Sequence, residues 1–171
     1  MVSFEPSLHS GFGTGVVMAD LGFIFNCRGD YYSLVAGEAN ALLPGKRPRS
    51  TLQSTLIMKD NLPFMIVGSP GGDDQVFRTL QTLLNVVDFG MNVQDAVDAP
   101  RFHHQWLPDR IDVEPFGFPR DVVTALEARG HKVDDTYGWW GQVHAIMADS
   151  TRGLLFGAAD PRAGDGRAAG Y

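Results

Sequence analysis

Residues 64 to 90 constrain this chain more than any other stretch. Phe64-Met65-Ile66-Val67-Gly68 carries no polar side chain, so it reads as a strand buried on both faces. Gly71-Gly72 then breaks the pattern, and Asp73 and Asp74 follow as N-cap candidates. Val76, Leu80, Leu83, Leu84 and Val87 recur at helical spacing, which predicts a helix from about Asp74 to Phe89, stopped by Gly90. A glycine pair between a strand and a helix turns backbone N–H groups outward, and the helix N-terminus adds positive potential there. Gly71 and Gly72 could therefore hold an anion or a developing oxyanion. On spacing alone, a simple tight turn explains the two glycines better.

The rest of the chain alternates short apolar runs with turns. Gly15–Ala19 and Gly22–Asn26 read as paired strands around Asp20-Leu21. Thr55–Lys59 should pair with 64–68 across the turn Asp60-Asn61-Leu62-Pro63. Gln142–Ala148 and Leu154–Ala158 form a last hairpin across 150–153. A short helix is expected at Val93 to Asp98, ended by Pro100. Another lies between Pro119 and Gly130, with proline at its start and glycine past its end. Residues 29 to 50 read as a long loop, a length that in a compact domain is usually functional. Hairpins mixed with a few helices predict an α+β fold with antiparallel sheets. With 171 residues and no linker or repeat, residues 1–171 are expected to form one domain.

Composition excludes several classes. Apolar residues make up 44% and charged residues 20%, which argues against disorder. A formal net charge of −6 weighs against a general nucleic-acid or membrane-surface binder, because phosphates repel it. No apolar run is long enough to span a bilayer, and the first residues do not read as a signal peptide. The compartment is not legible. The single cysteine, Cys27, allows no internal disulfide.

Other candidate residues carry little by themselves. Gly45–Thr51 places Lys46, Arg47 and Arg49 beside Ser50 and Thr51, which could grip a carboxylate or phosphate, or form a solvated loop. His103-His104 has no cysteine or glutamate at ligand spacing, so no metal or other cofactor is expected. Tyr137, Trp139 and Trp140 could line a pocket, although core filling is commoner. Neither a Gly-x-Ser-x-Gly pattern nor a spacing that singles out a catalytic triad is present.

Several stretches in register resemble the small subunit of gamma-glutamyltranspeptidases. They are Gly11–Gly15, Pro44–Pro48, Gly68–Gly72, Asp88–Asn92, Asp98–Asp109, Gly157–Arg162 and the end Ala169-Gly170-Tyr171. The likeness covers the chain from about Val2 to Tyr171. It implies an N-terminal-nucleophile hydrolase fold of αββα layers, incomplete without a large subunit. In that family the precursor cleaves itself. The new N-terminal Thr of the small subunit attacks the gamma-glutamyl amide, with its own amine as base.

Carried over by position, the resemblance makes Gly71 and Gly72 oxyanion donors and Ser7 a hydroxyl that supports the nucleophile. Ser50 and Thr51 fall where hydroxyls hold the glutamyl carboxylate. His9, Arg28 and Tyr31 fall where transpeptidases carry Asn, Gln and an amine-binding Asp. Asn26-Cys27-Arg28-Gly29 looks more like the acylase-type relatives. These departures weigh against a strict glutathione specificity. The nucleophilic Thr is expected roughly 18 residues before Ser7, by the usual spacing of the resemblance, and this chain starts six residues before it. The implied partners are the large subunit and a gamma-glutamyl or acyl amide substrate. Three readings stay open: a catalytic half of an amidohydrolase, an acylase acting on another amide, and a non-catalytic remnant or binding module.

Overall fold

Asp60 and Asn61 both take positive φ, 52° and 62°. That is the conformation a two-residue hairpin needs to match the right-handed twist of its strands. The computed structural model describes residues 1–162, 164 and 166–170, so Tyr171, the last residue of the resemblance, lies outside the described residues. The Asp60-Asn61 turn joins β3 (Thr55–Lys59) to β4 (Leu62–Gly68). The turn is thus two residues long, not four. Leu62 and Pro63 belong to the strand, and Pro63 sits where the register shifts between Ile57 and Met58. A bulge tolerates the missing proline N–H.

Contacts within the chain divide it into two compact units, Glu5–Leu52 and Met1–Phe4 with Gln53–Tyr171. The smaller unit holds β1 (Val17–Met18) and β2 (Phe23–Ile24), an antiparallel pair with Val17 opposite Ile24. The expected hairpin is there, at two residues per strand. Most of 29–50 is irregular, apart from one turn of 3₁₀ helix at Arg28–Tyr31 and a bridge between Ser33 and Ala41.

The larger unit is built on a four-stranded antiparallel sheet, in the order β3, β4, β8 (His144–Asp149), β9 (Leu154–Ala159). Met65, Ile66 and Val67 of β4 are all buried, as their unbroken apolar run predicts. The helices α1 (Gln75–Val87) and α2 (Val93–Asp98) supply Val86, Val93, Ala96 and Val97, which pack with Met65, Val67, Ala145 and Ala158 into one core. Asn92 caps α2 by accepting the Asp95 N–H at 2.9 Å. The helix α3 (Arg120–Ala128) follows Pro119 and is closed by Gly130 at φ 94°.

A second sheet was not legible in the sequence. It contains β5 (Phe102–His103), β6 (Ile111–Val113) and β7 (Val133–Asp134), and its β6–β7 pair is parallel. The fold is α+β, with one parallel pair among antiparallel ones. No helix among the described residues is long and apolar enough to cross a membrane.

Candidate functional site

In the smaller unit, the backbone first brings distant residues together. Cys27 donates its N–H to the Leu8 carbonyl at 3.0 Å, and Thr14 donates its N–H to Phe25 at 2.9 Å. Gly13 takes φ 52° against Phe25 and Asn26, and a Cβ there would collide with the Phe25 carbonyl. These ties lay Ser7–His9 alongside Cys27–Arg28.

Six of the residues singled out from the sequence then form one cluster. Arg28 donates from Nη1 to Ser7 Oγ at 2.8 Å and from Nη2 to Ser50 Oγ at 3.2 Å. The Tyr31 hydroxyl lies 3.4 Å from Thr51 Oγ1. The guanidinium carbons of Arg28 and Arg49 each lie 4.7 Å from the Tyr31 ring centroid, close enough for cation–π attraction. His9 packs its ring on Tyr31 at 4.2 Å and places Nδ1 2.8 Å from Asp30 Oδ2. The cluster therefore gathers two guanidinium groups, three aliphatic hydroxyls and a phenol, a donor set suited to an anion.

Gly71 and Gly72 belong to the larger unit, at the turn between β4 and α1. Both need positive φ, 118° and 62°. A Cβ on Gly71 would collide with the Trp139 ring and with Arg78, whereas one on Gly72 meets open space. A 3₁₀ turn at Gly72–Asp74 leads into α1. Asp74 occupies the N-cap position but makes no capping bond with its side chain. Its Oδ2 accepts instead from Arg78 Nη2 and from the Tyr137 hydroxyl, both at 2.8 Å, and its Oδ1 lies 3.2 Å from His103 Nε2.

Arg78 is the residue that braces this turn, and sequence reasoning missed it. It donates to the Pro70 carbonyl at 3.0 Å and stacks 4.6 Å from the Trp139 ring. Burial lowers its pKa from the usual value, and the Asp74 charge offsets part of that. Burial and the bond to Asp74 raise that of Tyr137. The four-residue spacing of Asp74 and Arg78 was the signal available in the sequence. Trp139 and Tyr137 thus wall the turn, while Trp140 is buried with its Nε1 on the Tyr137 carbonyl at 2.9 Å. Buried His103 packs edge-on against Phe77 at 4.7 Å, and His104 lies 3.2 Å from Asp109, so the adjacent histidines take separate partners.

A second group of charges explains why Asp98–Arg101 and Ala159–Arg162 stand out in the sequence. Arg101 bonds Asp160 at 2.5 Å and the Val97 and Trp140 carbonyls at 2.8 Å each. Arg162 clasps Glu114 through Nε and Nη2 at 2.6 and 2.7 Å. Burial raises the pKa of Asp160, but the Arg162 N–H, the Arg101 charge and the Val143 N–H outweigh it, and the carboxyl ends below its ordinary value.

A family model described as gamma-glutamyltranspeptidase matches residues 1–171. The chain is 42% identical to the glutathione hydrolase proenzyme of Escherichia coli over 180 residues, covering 99% of this chain and 30% of that protein. It is 37% identical to the glutathione hydrolase proenzyme of a Pseudomonas strain, covering 99% of this chain and 32% of that protein. The chain thus spans about a third of the length of these relatives. A point mutant of Helicobacter pylori gamma-glutamyltranspeptidase superposes with a TM-score of 0.82 at 37% identity, covering 95% of this chain and 93% of that one. Cephalosporin acylase from Bacillus halodurans superposes with a TM-score of 0.83 at 36% identity, covering 96% of this chain and 31% of that one. With these neighbours the chain shares an α+β fold of the N-terminal-nucleophile hydrolase type. On a match that runs through its whole length, this chain belongs to the gamma-glutamyltranspeptidase family.

Proposed function

We propose that this chain is the small-subunit part of an enzyme that cleaves gamma-glutamyl or related acyl amides through an N-terminal Thr contributed from upstream in the same precursor. The observation that carries this reading is Arg28 bonded to both Ser7 and Ser50, beside Tyr31 and Thr51. In this reading Ser50 and Thr51 hold the substrate carboxylate and Ser7 supports the nucleophile. The Thr hydroxyl attacks the amide carbon while its own amine takes the proton. The backbone N–H groups of Gly71 and Gly72 stabilise the oxygen as it becomes negative. The amine leaves, and water or a second amine then takes the acyl group. On this account the 171-residue chain alone turns over no gamma-glutamyl anilide.

A second reading is favoured by the surroundings of Tyr31. Two guanidinium groups lie 4.7 Å from its ring centroid, at the position where the resemblance implies an amine-binding Asp. Positive charge there repels an α-ammonium and attracts an acyl chain bearing only a carboxylate. The test is to express the chain with its upstream coding region and assay two anilides, gamma-glutamyl and the same acyl group without its α-amine. Faster turnover of the amine-free substrate supports the acylase reading. Preference for gamma-glutamyl supports the transpeptidase reading. No turnover of either, in a protein that has processed itself, overturns both.

A further inference from the structure

His9, Cys27 and Asp30 are the one group of three potential metal ligands among the described residues whose donor atoms converge. All three donor atoms lie within 4.8 Å of one another. His9 Nδ1 is 2.8 Å from Asp30 Oδ2 and 3.9 Å from Cys27 Sγ. A tetrahedral Zn²⁺ with bonds of about 2.3 Å to sulfur and about 2.0 Å to nitrogen and oxygen needs N···S near 3.5 Å and N···O near 3.3 Å. The two separations from His9 Nδ1 each lie about half an ångström from these values, and the Cys27 sulfur lies within 4.8 Å of the Asp30 carboxylate, so side-chain rotations would seat an ion.

Local structure holds the three residues in place. The Cys27 N–H and thiol both reach the Leu8 carbonyl, at 3.0 and 3.3 Å, which fixes Cys27 beside His9. The Asp30 N–H donates to the Cys27 carbonyl at 3.2 Å, within the turn that carries Arg28–Tyr31. Tyr31 backs the His9 ring. Two short segments, tied by backbone bonds, therefore present a thiol, an imidazole and a carboxylate to one point. The arrangement is not a Cys–His–Asp relay, because sulfur and carboxylate approach the same ring nitrogen.

We propose that His9 Nδ1, Cys27 Sγ and Asp30 Oδ2 form a three-ligand site for a thiophilic divalent cation of the Zn²⁺ or Co²⁺ type, with solvent in the fourth position. Mixed sulfur and nitrogen donors select such ions over Mg²⁺ or Ca²⁺, which prefer all-oxygen sets. On binding, the Cys27 thiol loses its proton to solvent and its bond to the Leu8 carbonyl, and a sulfur–metal bond replaces them. The His9 Nδ1 proton, donated to Asp30 Oδ2 in the free chain, is lost to solvent or exchanged to Nε2, so that the ring keeps one proton, on Nε2, and its Nδ1 lone pair faces the ion. The assignment does not depend on the acyl-transfer reading.

The test is a titration of the reduced, metal-free chain with Co²⁺ under exclusion of oxygen. At one equivalent, a thiolate-to-cobalt charge-transfer band and tetrahedral visible bands should appear, and Zn²⁺ should displace them. Cys27→Ser should abolish the charge-transfer band. His9→Ala and Asp30→Asn should each weaken binding by at least about tenfold, a loss that even indirect supporters of a ligand can cause. His104→Ala should leave binding unchanged. Circular dichroism checks that each variant is folded, and near-isosteric Asp30→Asn carries the comparison if His9→Ala is not. Absence of the band overturns the site. So does a band whose affinity is the same in both His9→Ala and Asp30→Asn, since that would be simple binding to an exposed thiol.

Discussion

Arg101 and Asp160 form an ion pair 2.5 Å apart with almost no exposure of either side chain. Removing one member of such a pair strands the other charge, at a cost of roughly 3–5 kcal/mol. Asp160→Asn should therefore destabilise the chain strongly in urea unfolding. The pH dependence follows from the lowered pKa of Asp160. Below its unfolded pKa of about 3.9, the unfolded chain binds this proton before the folded one does. The stabilisation is thus fully present above that value and is lost as pH falls through the folded pKa. The gap between wild type and Asp160→Asn should narrow with acid. A gap that stays constant from neutral pH to pH values well below 4 would refute the assignment.

The two glycines of the β4–α1 turn should respond differently. Gly71→Ala puts a methyl group where Trp139 and Arg78 lie, so it must move the brace of the turn. Gly72→Ala meets no atom, and only its left-handed backbone penalises it, by about 1–2 kcal/mol. In the enzyme expressed with its upstream region, Gly71→Ala should lower kcat more than Gly72→Ala. If Gly72 is the principal oxyanion donor, the order reverses. Loss of one such donor has typically cost about 2.7–4 kcal/mol. Measuring kcat for both variants, with folding checked by near-ultraviolet circular dichroism, decides between them.

How much of this was legible in the sequence follows from element length. The β3–β4 and β8–β9 hairpins were readable because their strands are five or more residues long, rich in apolar residues, and end at turn residues. Strands β5, β6 and β7, at two or three residues, are too short to show a period. The helical spacing of Val76, Leu80 and Val87 was also plain, but not its direction. These side chains are exposed, while Gln75, Arg78, Thr79 and Thr82 of the same helix are buried. A helical period identifies a stripe, and the presence of another layer decides which way it faces. The cluster around Arg28 joins residues 7, 28, 31 and 50, and only the resemblance put them on one map. That Arg28 and Arg49 flank Tyr31 could not be read from spacing at all.

Arg28 links two hydroxyls, so its replacement separates the two proposed substrate readings. Charged hydrogen bonds contribute about 1.5–3 kcal/mol, which corresponds to roughly tenfold or more in KM. In the expressed precursor, Arg28→Gln should raise KM for the amine-free acyl anilide by at least about tenfold. It should raise KM for the gamma-glutamyl anilide less, because repulsion of the α-ammonium is removed together with the attraction of the carboxylate. Under the proposed carboxylate role of Ser50, Ser50→Ala should raise KM for both substrates with little effect on kcat, since such a contact would be the same in ground and transition states. Equal effects of Arg28→Gln on both substrates would remove the argument for the acylase reading.

The outward stripe of α1 makes a prediction about association. Val76, Leu80 and Val87 are about half exposed, and Leu84 is exposed beside them. They contribute little packing within the described chain, so charging them should leave its stability within about 0.5 kcal/mol. A contiguous exposed apolar strip does favour association with another apolar surface. The purified chain should therefore self-associate as its concentration rises, and Val76→Lys with Leu80→Lys should shift it toward monomer. Sedimentation velocity reads the association and urea unfolding reads the stability. On the proposed small-subunit reading, co-expression of the upstream region should suppress self-association of the unmodified chain if the rest of the precursor covers the same strip. If the double variant unfolds, the strip is part of the core. If it self-associates like wild type, the strip is not the contact surface.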